Sequence, residues 1–147
     1  MIEFFAHGIP KGQPRPRAFA RKMGGKFVAR VYESHTAEGW KSAVAEAAKS
    51  HLPEKPLEGP VGLLIELYFP RPKSHSTKKG VREDAPYWHT SKPDADNAAK
   101  AIMDALTVLG FWRDDSQVYD LRCRKIYTPR SGNIAPGAII EIKHEKT

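Results

Sequence analysis

Cysteine is almost missing from this chain. Cys123 stands alone, so no internal disulfide can form, and no Cys/His set has the spacing of a zinc site. A reducing cytoplasm is the expected setting. Long apolar runs are missing too. The best, Val61 to Phe69, is nine residues and contains Glu66, far short of the ~20 needed to cross a bilayer. The start, Met1-Ile2-Glu3-Phe4-Phe5-Ala6-His7-Gly8, carries an acid and no basic region ahead of an apolar stretch, so it is not expected to be a secretory signal. Repeats and low-complexity tracts are absent. Acids are scarce relative to bases: 17 Asp and Glu face 24 Lys and Arg, a net charge of +7. What remains is one ordinary domain, residues 1–147, with 40% hydrophobic residues and a mean hydropathy of −0.54.

The excess positive charge calls for a polyanion, nucleic acid or an anionic membrane face. It is gathered into three acid-free stretches. The first holds Lys11, Arg15, Arg17, Arg21, Lys22, Lys26 and Arg30. The second holds Arg71, Lys73, Lys78, Lys79 and Arg82, and the third Arg122, Arg124, Lys125 and Arg130. The first two are rich in Pro and Gly and read as loops or a loose hairpin. Such loops let long cationic side chains track a phosphate backbone. Neither shows an amphipathic helical stripe, which argues against a membrane partner.

Periodicity predicts strands at Ile2–His7, Lys26–Tyr32, Val61–Phe69, Gln117–Tyr127 and Ala138–Ile142, with the last paired back onto its predecessor. Val61–Phe69 is apolar on both faces and is expected at the centre of a sheet. Trp40, Val44, Ala47, Ala48 and His51 share one face of a helix over about 37–51, with Thr36 as its cap. Ala98, Ile102, Ala105, Leu106 and Leu109 make the stripe of a second helix, and Gly110 sits where a terminating glycine belongs. A long loop, 70–93, lies between. The order is β-β-α-β-α-β-β: a mixed α/β (α+β) sheet with two helices packed on it.

In so basic a chain the positions of the acids carry information. Asp94 and Asp96 fall at the entry to the second helix, Asp114 and Asp115 just beyond its end, and Lys100 one turn after Asp96. Taken singly, these acids read as a helix cap or a polar turn. Taken together, they could hold Mg²⁺, which needs few carboxylates and binds phosphate oxygens directly, with a lysine near the charge that develops on phosphorus. Pro93 favours an extended approach, placing Asp94 outside the helix and Asp96 at its cap or first turn. Asp115 is harder to bring in. From Asp96 to Val108 the helix runs about 18 Å, and the seven steps to Asp115 span at most about 25 Å. The chain must therefore fold back nearly extended, or Asp115 must serve a site in another subunit.

The string His89-Thr90-Ser91-Lys92-Pro93-Asp94-Ala95-Asp96-Asn97, then Lys100, Asp104-Ala105-Leu106, Gly110-Phe111-Trp112 and Asp114-Asp115-Ser116-Gln117-Val118 resembles the RusA-type Holliday junction resolvases, which are crossover junction endodeoxyribonucleases. The likeness is close from about 89 to 126 and departs in a longer 70–90 loop bearing Lys78, Lys79 and Arg82. It implies a homodimer of a small mixed α/β fold. Such a dimer binds branched DNA and makes symmetric paired nicks with Mg²⁺ or Mn²⁺. It carries the catalytic roles to Asp94, Asp96, Asp115 and Lys100, and the metal to Asp94, Asp96 and Asp115, with Asp114 in support. Lys11, Arg15, Arg17, Arg21, Lys78, Lys79, Arg82 and Lys92 are the expected DNA contacts. No small-molecule cofactor is implied. Two other readings remain: a non-catalytic nucleic-acid-binding protein, and a metal-dependent nuclease for flaps or RNA. His89, Trp88 and Tyr87 are further residues that could reach the site or stack on a base.

Overall fold

The computed structural model describes residues 1–13, 17–23, 26–32, 35–130 and 132–145, with backbone alone for the stretches between 17 and 36. In chain order the elements are β1 (Ile2–His7), β2 (Arg17–Met23), β3 (Lys26–Tyr32), α1 (His35–Lys49), β4 (Val61–Phe69), β5 (Ser76–Thr77), β6 (Gly80–Val81), α2 (Ala95–Leu109), β7 (Val118–Tyr127) and β8 (Gly137–His144). The expected fold class stands: a mixed sheet in the order β1-β8-β4-β7 with two helices.

β4 is central, as its two apolar faces require. It runs parallel to β7, with Leu63 opposite Leu121 and Ile65 opposite Cys123, and antiparallel to β8. Parallel neighbours need a long crossover, and the connection from β4 to β7 carries α2. Leu63, Ile65, Leu67, Ile140 and Ile142 form a buried core with Ile102 and Leu106 of α2 and Trp40 and Val44 of α1.

Several expectations are corrected or refined. β8 does not pair with β7; it lies between β1 and β4. The reason is burial: Ala138, Ile140 and Ile142 are at most 1% exposed. β7, with Tyr119 and Leu121 exposed, is suited to an edge. The first basic stretch, read as loops or a loose hairpin with a strand at Lys26–Tyr32, is such a hairpin, in which β2, not among the expected strands, pairs with β3 in a separate two-stranded ribbon. The 70–93 loop is not featureless either: β5 and β6 form a small hairpin, and Tyr87–His89 lies alongside β7, Trp88 bridging Ile126. α1 begins at His35, ahead of the Thr36 expected to cap it.

Gly110 ends α2 in the left-handed region, φ 102°, its N–H bonding the Leu106 and Thr107 carbonyls. A residue without Cβ adopts this conformation freely. It turns the chain back on itself, and Phe111 and Trp112 follow into the core at 0% and 1% exposure.

Candidate active site

The site is built around the two ends of α2. At its start, Asp94 occupies the N-cap position with extended backbone, φ −65° and ψ 149°, yet its carboxylate makes no bond to the helix amides. Both its oxygens face Lys92 Nζ, at 3.1 and 3.2 Å. An exposed ion pair of this kind contributes about 0–1 kcal/mol, so a divalent cation or a phosphate can displace it. Asp96 stands in the first turn, where the helix dipole favours an anion, and its Oδ1 accepts the Asn97 N–H at 2.9 Å.

The approach to Asp94 is fixed from β7. His89 N–H donates to Lys125 O at 2.9 Å and Tyr127 N–H to Tyr87 O at 3.0 Å. The Lys125 ammonium then donates to Ser91 O at 2.8 Å and Pro93 O at 2.7 Å. Lys125 is therefore a positioning residue for the turn that presents Asp94. Sequence reasoning had placed it with the phosphate-binding cations. The signal for its role was alternation: along β7 it shares the face of Cys123 and Tyr127, toward the helices, while Arg122 and Arg124 point to the opposite face. The third basic stretch thus divides between two faces rather than gathering round the acids.

Beyond Gly110 the chain turns back along α2, where Asp115 meets Thr107 and the end of the Lys100 side chain. Lys100 Nζ meets Asp115 Oδ2 at 2.5 Å. The Thr107 hydroxyl accepts the Trp112 indole N–H at 2.7 Å and bonds Asp115 Oδ1. Partial burial raises the Asp115 pKa, but hydrogen bonds from Lys100 and Thr107 and the lysine charge outweigh it, leaving the carboxyl below its ordinary value. Lys100 is raised, chiefly by the hydrogen bond to Asp115, and stays cationic. Asp114 caps the short helical turn 115–117, its side chain accepting Ser116 N–H at 3.0 Å. Gln117 completes this box. Its Oε1 accepts from Arg113 N and Asp114 N, and its Nε2 donates to Leu57 O and Gly59 O. Gln117 went unassigned at the sequence level, although its place three residues after Asp114 is the spacing of a capping box.

The acids are therefore brought to one helix but not to one point. Among the described residues, no group of three or more His, Cys, Asp or Glu side chains is placed to hold a metal ion. Asp115 sits against Thr107, eleven residues or about 17 Å of helix beyond Asp96, and meets Lys100 through the end of the lysine side chain. Asp94 and Asp96 still fit a hard cation, since Mg²⁺ commonly takes one or two carboxylates together with waters and substrate phosphates.

Of the expected DNA contacts, Lys78 and Lys79 are exposed at the β5–β6 turn. Arg82 is 3.6 Å from Asp84, and Lys92 faces Asp94. Lys11 lies in the segment before β2, which docks on α2 through Gln13 N–H to Asn97 O at 2.9 Å. At Gly12 a Cβ would lie 2.5 Å from Asn97 Nδ2, so the backbone fits there only because the side chain is missing. Arg15 and the side chains of Arg17 and Arg21 lie outside the described residues. Arg71, counted with the cations, instead ties the loop together, donating to Thr128 O at 2.9 Å and Pro86 O at 2.7 Å. His89 is buried, its ring stacked on Phe69 at 3.8 Å. Burial and then the Lys125 charge lower its pKa, so the imidazole is neutral near pH 7.

This is a small mixed-sheet domain that carries carboxylates, a lysine and basic loops on one helix and its approaches. The family of such domains is shown by comparison. The model of the endodeoxyribonuclease RusA family matches residues 7–143, and the chain belongs to that family. YqaN of Bacillus subtilis is 39% identical over 130 residues, 86% of this chain and 88% of that protein. The crossover junction endodeoxyribonuclease RusA of Escherichia coli (strain K12) is 30% identical over 105 residues, 71% of this chain and 72% of its own. Its namesake from Enterobacteria phage 82 matches to the same extent.

Proposed function

We propose that this protein is a metal-dependent, structure-selective endonuclease that resolves four-way DNA junctions by symmetric paired nicks, acting as a homodimer. The observation that carries the reading is the pair Asp94 and Asp96 at the exposed start of α2, with Lys100 one turn on. Membership of the RusA family and the junction-cutting relatives support it. Asp94 and Asp96 would hold Mg²⁺ or Mn²⁺, and a cation there supplies an acidified water and neutralises charge on the phosphate. Lys100, kept protonated by Asp115, offers its ammonium to the charge that builds on the phosphoryl oxygens. Asp115 orients Lys100, Thr107 and Trp112 orient Asp115, and Asp114 with Gln117 fixes the turn that delivers it. Two opposed nicks call for two sites related by a two-fold axis, which a symmetric dimer provides.

The expected result is cleavage of a four-way junction with Mg²⁺, none in EDTA, and recovery on adding Mg²⁺ or Mn²⁺. Linear duplex, flap and RNA substrates run in parallel. Preferential cutting of flaps or RNA would reassign the substrate, and junction binding with no cutting under either metal would leave a binding protein. Lys125→Met is expected to lower kcat about tenfold, as orientation losses do, with junction affinity unchanged and Lys125→Arg recovering part of the rate. Weakened binding at full kcat would show instead that Lys125 contacts phosphate.

A further inference from the structure

Beside the carboxylates, the structure holds a cavity of about 550 Å³, within the range that accepts a small organic ligand. Its apolar walls include Pro10, Phe69 and Pro93, and Lys11 and Lys92 also line it. Two buried polar atoms of lining residues have no hydrogen-bond partner: Gln13 Oε1 and His89 Nδ1. His89 is 8% exposed. Asn97 lines the same cavity. A buried polar atom left unpaired costs about 1–3 kcal/mol, and both atoms are covered in this structure, so a ligand pairs them as the two side chains turn into the cavity. The set is neutral, since burial keeps His89 uncharged, and an amide oxygen repels an anion. A phosphate therefore suits Lys11 and Lys92 but not Gln13.

From these contacts we infer that the cavity receives a nucleobase of the bound DNA, with Gln13 and His89 on its polar edge and the lysines on its flanking phosphates. The inference rests on the DNA-processing reading and adds a basis for its structure selectivity. Lifting a base from a continuous duplex costs unstacking and unpairing, and the cost is least where pairing is already broken. A four-way junction keeps its pairs but interrupts stacking at the exchange point, so a base there costs less to lift than one inside a linear duplex. Lys92 and Pro93, which line the cavity, directly precede Asp94. A base held there would set the register of the strand presented for cutting.

The test is a walk of single abasic nucleotides across the branch point of a four-way junction, with binding measured in EDTA. The parent protein is expected to lose about tenfold in affinity at one position, an amount typical of a base contact. Gln13→Ala should lose less than about twofold at that same position, because its contact is already gone. Gln13→Phe, which fills the cavity, should behave alike, and thermal melting checks that both variants are folded. The same loss in parent and variants, or no position with a loss, overturns the inference. Cleavage with Mg²⁺ on the same junctions separates the two readings. Cutting without base dependence leaves the nuclease and overturns the base pocket. Base-dependent binding without cutting supports the pocket and retires the nuclease.

Discussion

Asp96→Asn is expected to bind a four-way junction within about twofold of the parent protein and to cut it at least ~10³-fold more slowly, a loss larger than that of a supporting residue. Asparagine has the shape of aspartate and keeps an oxygen for the Asn97 N–H, so the first turn of α2 keeps its bond. What it gives up is the charge, and a hard cation depends on that charge far more than a hydrogen bond does. Removing an anion near the DNA path cannot weaken DNA binding by repulsion, so affinity should hold or rise slightly. If Asp96 served only the helix dipole, the outcome would be different. Stability would fall by about 0.3–1 kcal/mol and cleavage would survive. Gel assays of binding and single-turnover cleavage on one preparation distinguish the two. Undiminished cutting by the variant in Mg²⁺ would sink the metal assignment.

The elements that were legible in advance are those whose pattern is local. α2 was readable because its apolar stripe and Gly110 specify both its face and its end. The backbone geometry of Asp94 and Asp96 followed from Pro93 and from helix periodicity. The parts that were not legible depend on partners distant in sequence. Nothing within Ala138–Ile142 says that it lies between Ile2–His7 and Val61–Phe69 rather than beside the strand before it; that depends on which edges other strands leave free. Lys125 looked like one cation among several because its acceptors, Ser91 O and Pro93 O, are backbone atoms of a different segment. Arg71 misled in the same way, since its guanidinium is spent on the carbonyls of Thr128 and Pro86. The cavity beside Asp94 had no signature at all: it is bounded by residues around 10, 37, 69, 89 and 97, which no pattern of composition connects.

Asp115→Asn is expected to reduce cleavage by about 10²-fold or more, on the scale of losing one group that organises transition-state charge. Its effect on stability should depend on pH with a definite sign. The folded state holds the Asp115 pKa low, so its contribution is present above the ordinary carboxyl value and is lost as pH falls through the lowered one. Lys100 is held high, so its share is present below the ordinary lysine value and is lost as pH rises through the raised one. The difference in stability between parent and variant should therefore be flat through neutral pH and narrow at both acid and alkaline ends, as read by urea denaturation. The same variant settles which subunit Asp115 serves. The chain folds back so that Asp115 meets Lys100 of its own α2, so the proposed site draws both from one protomer. Mixed dimers of Asp96→Asn and Asp115→Asn subunits would then carry one lesion in each site, and the mixture should be as inactive as either variant alone. If Asp115 instead acted across the two-fold axis, the same dimer would hold one site with both lesions and one intact site. Single-strand nicking would return in the mixture, and the assignment to one protomer would fall.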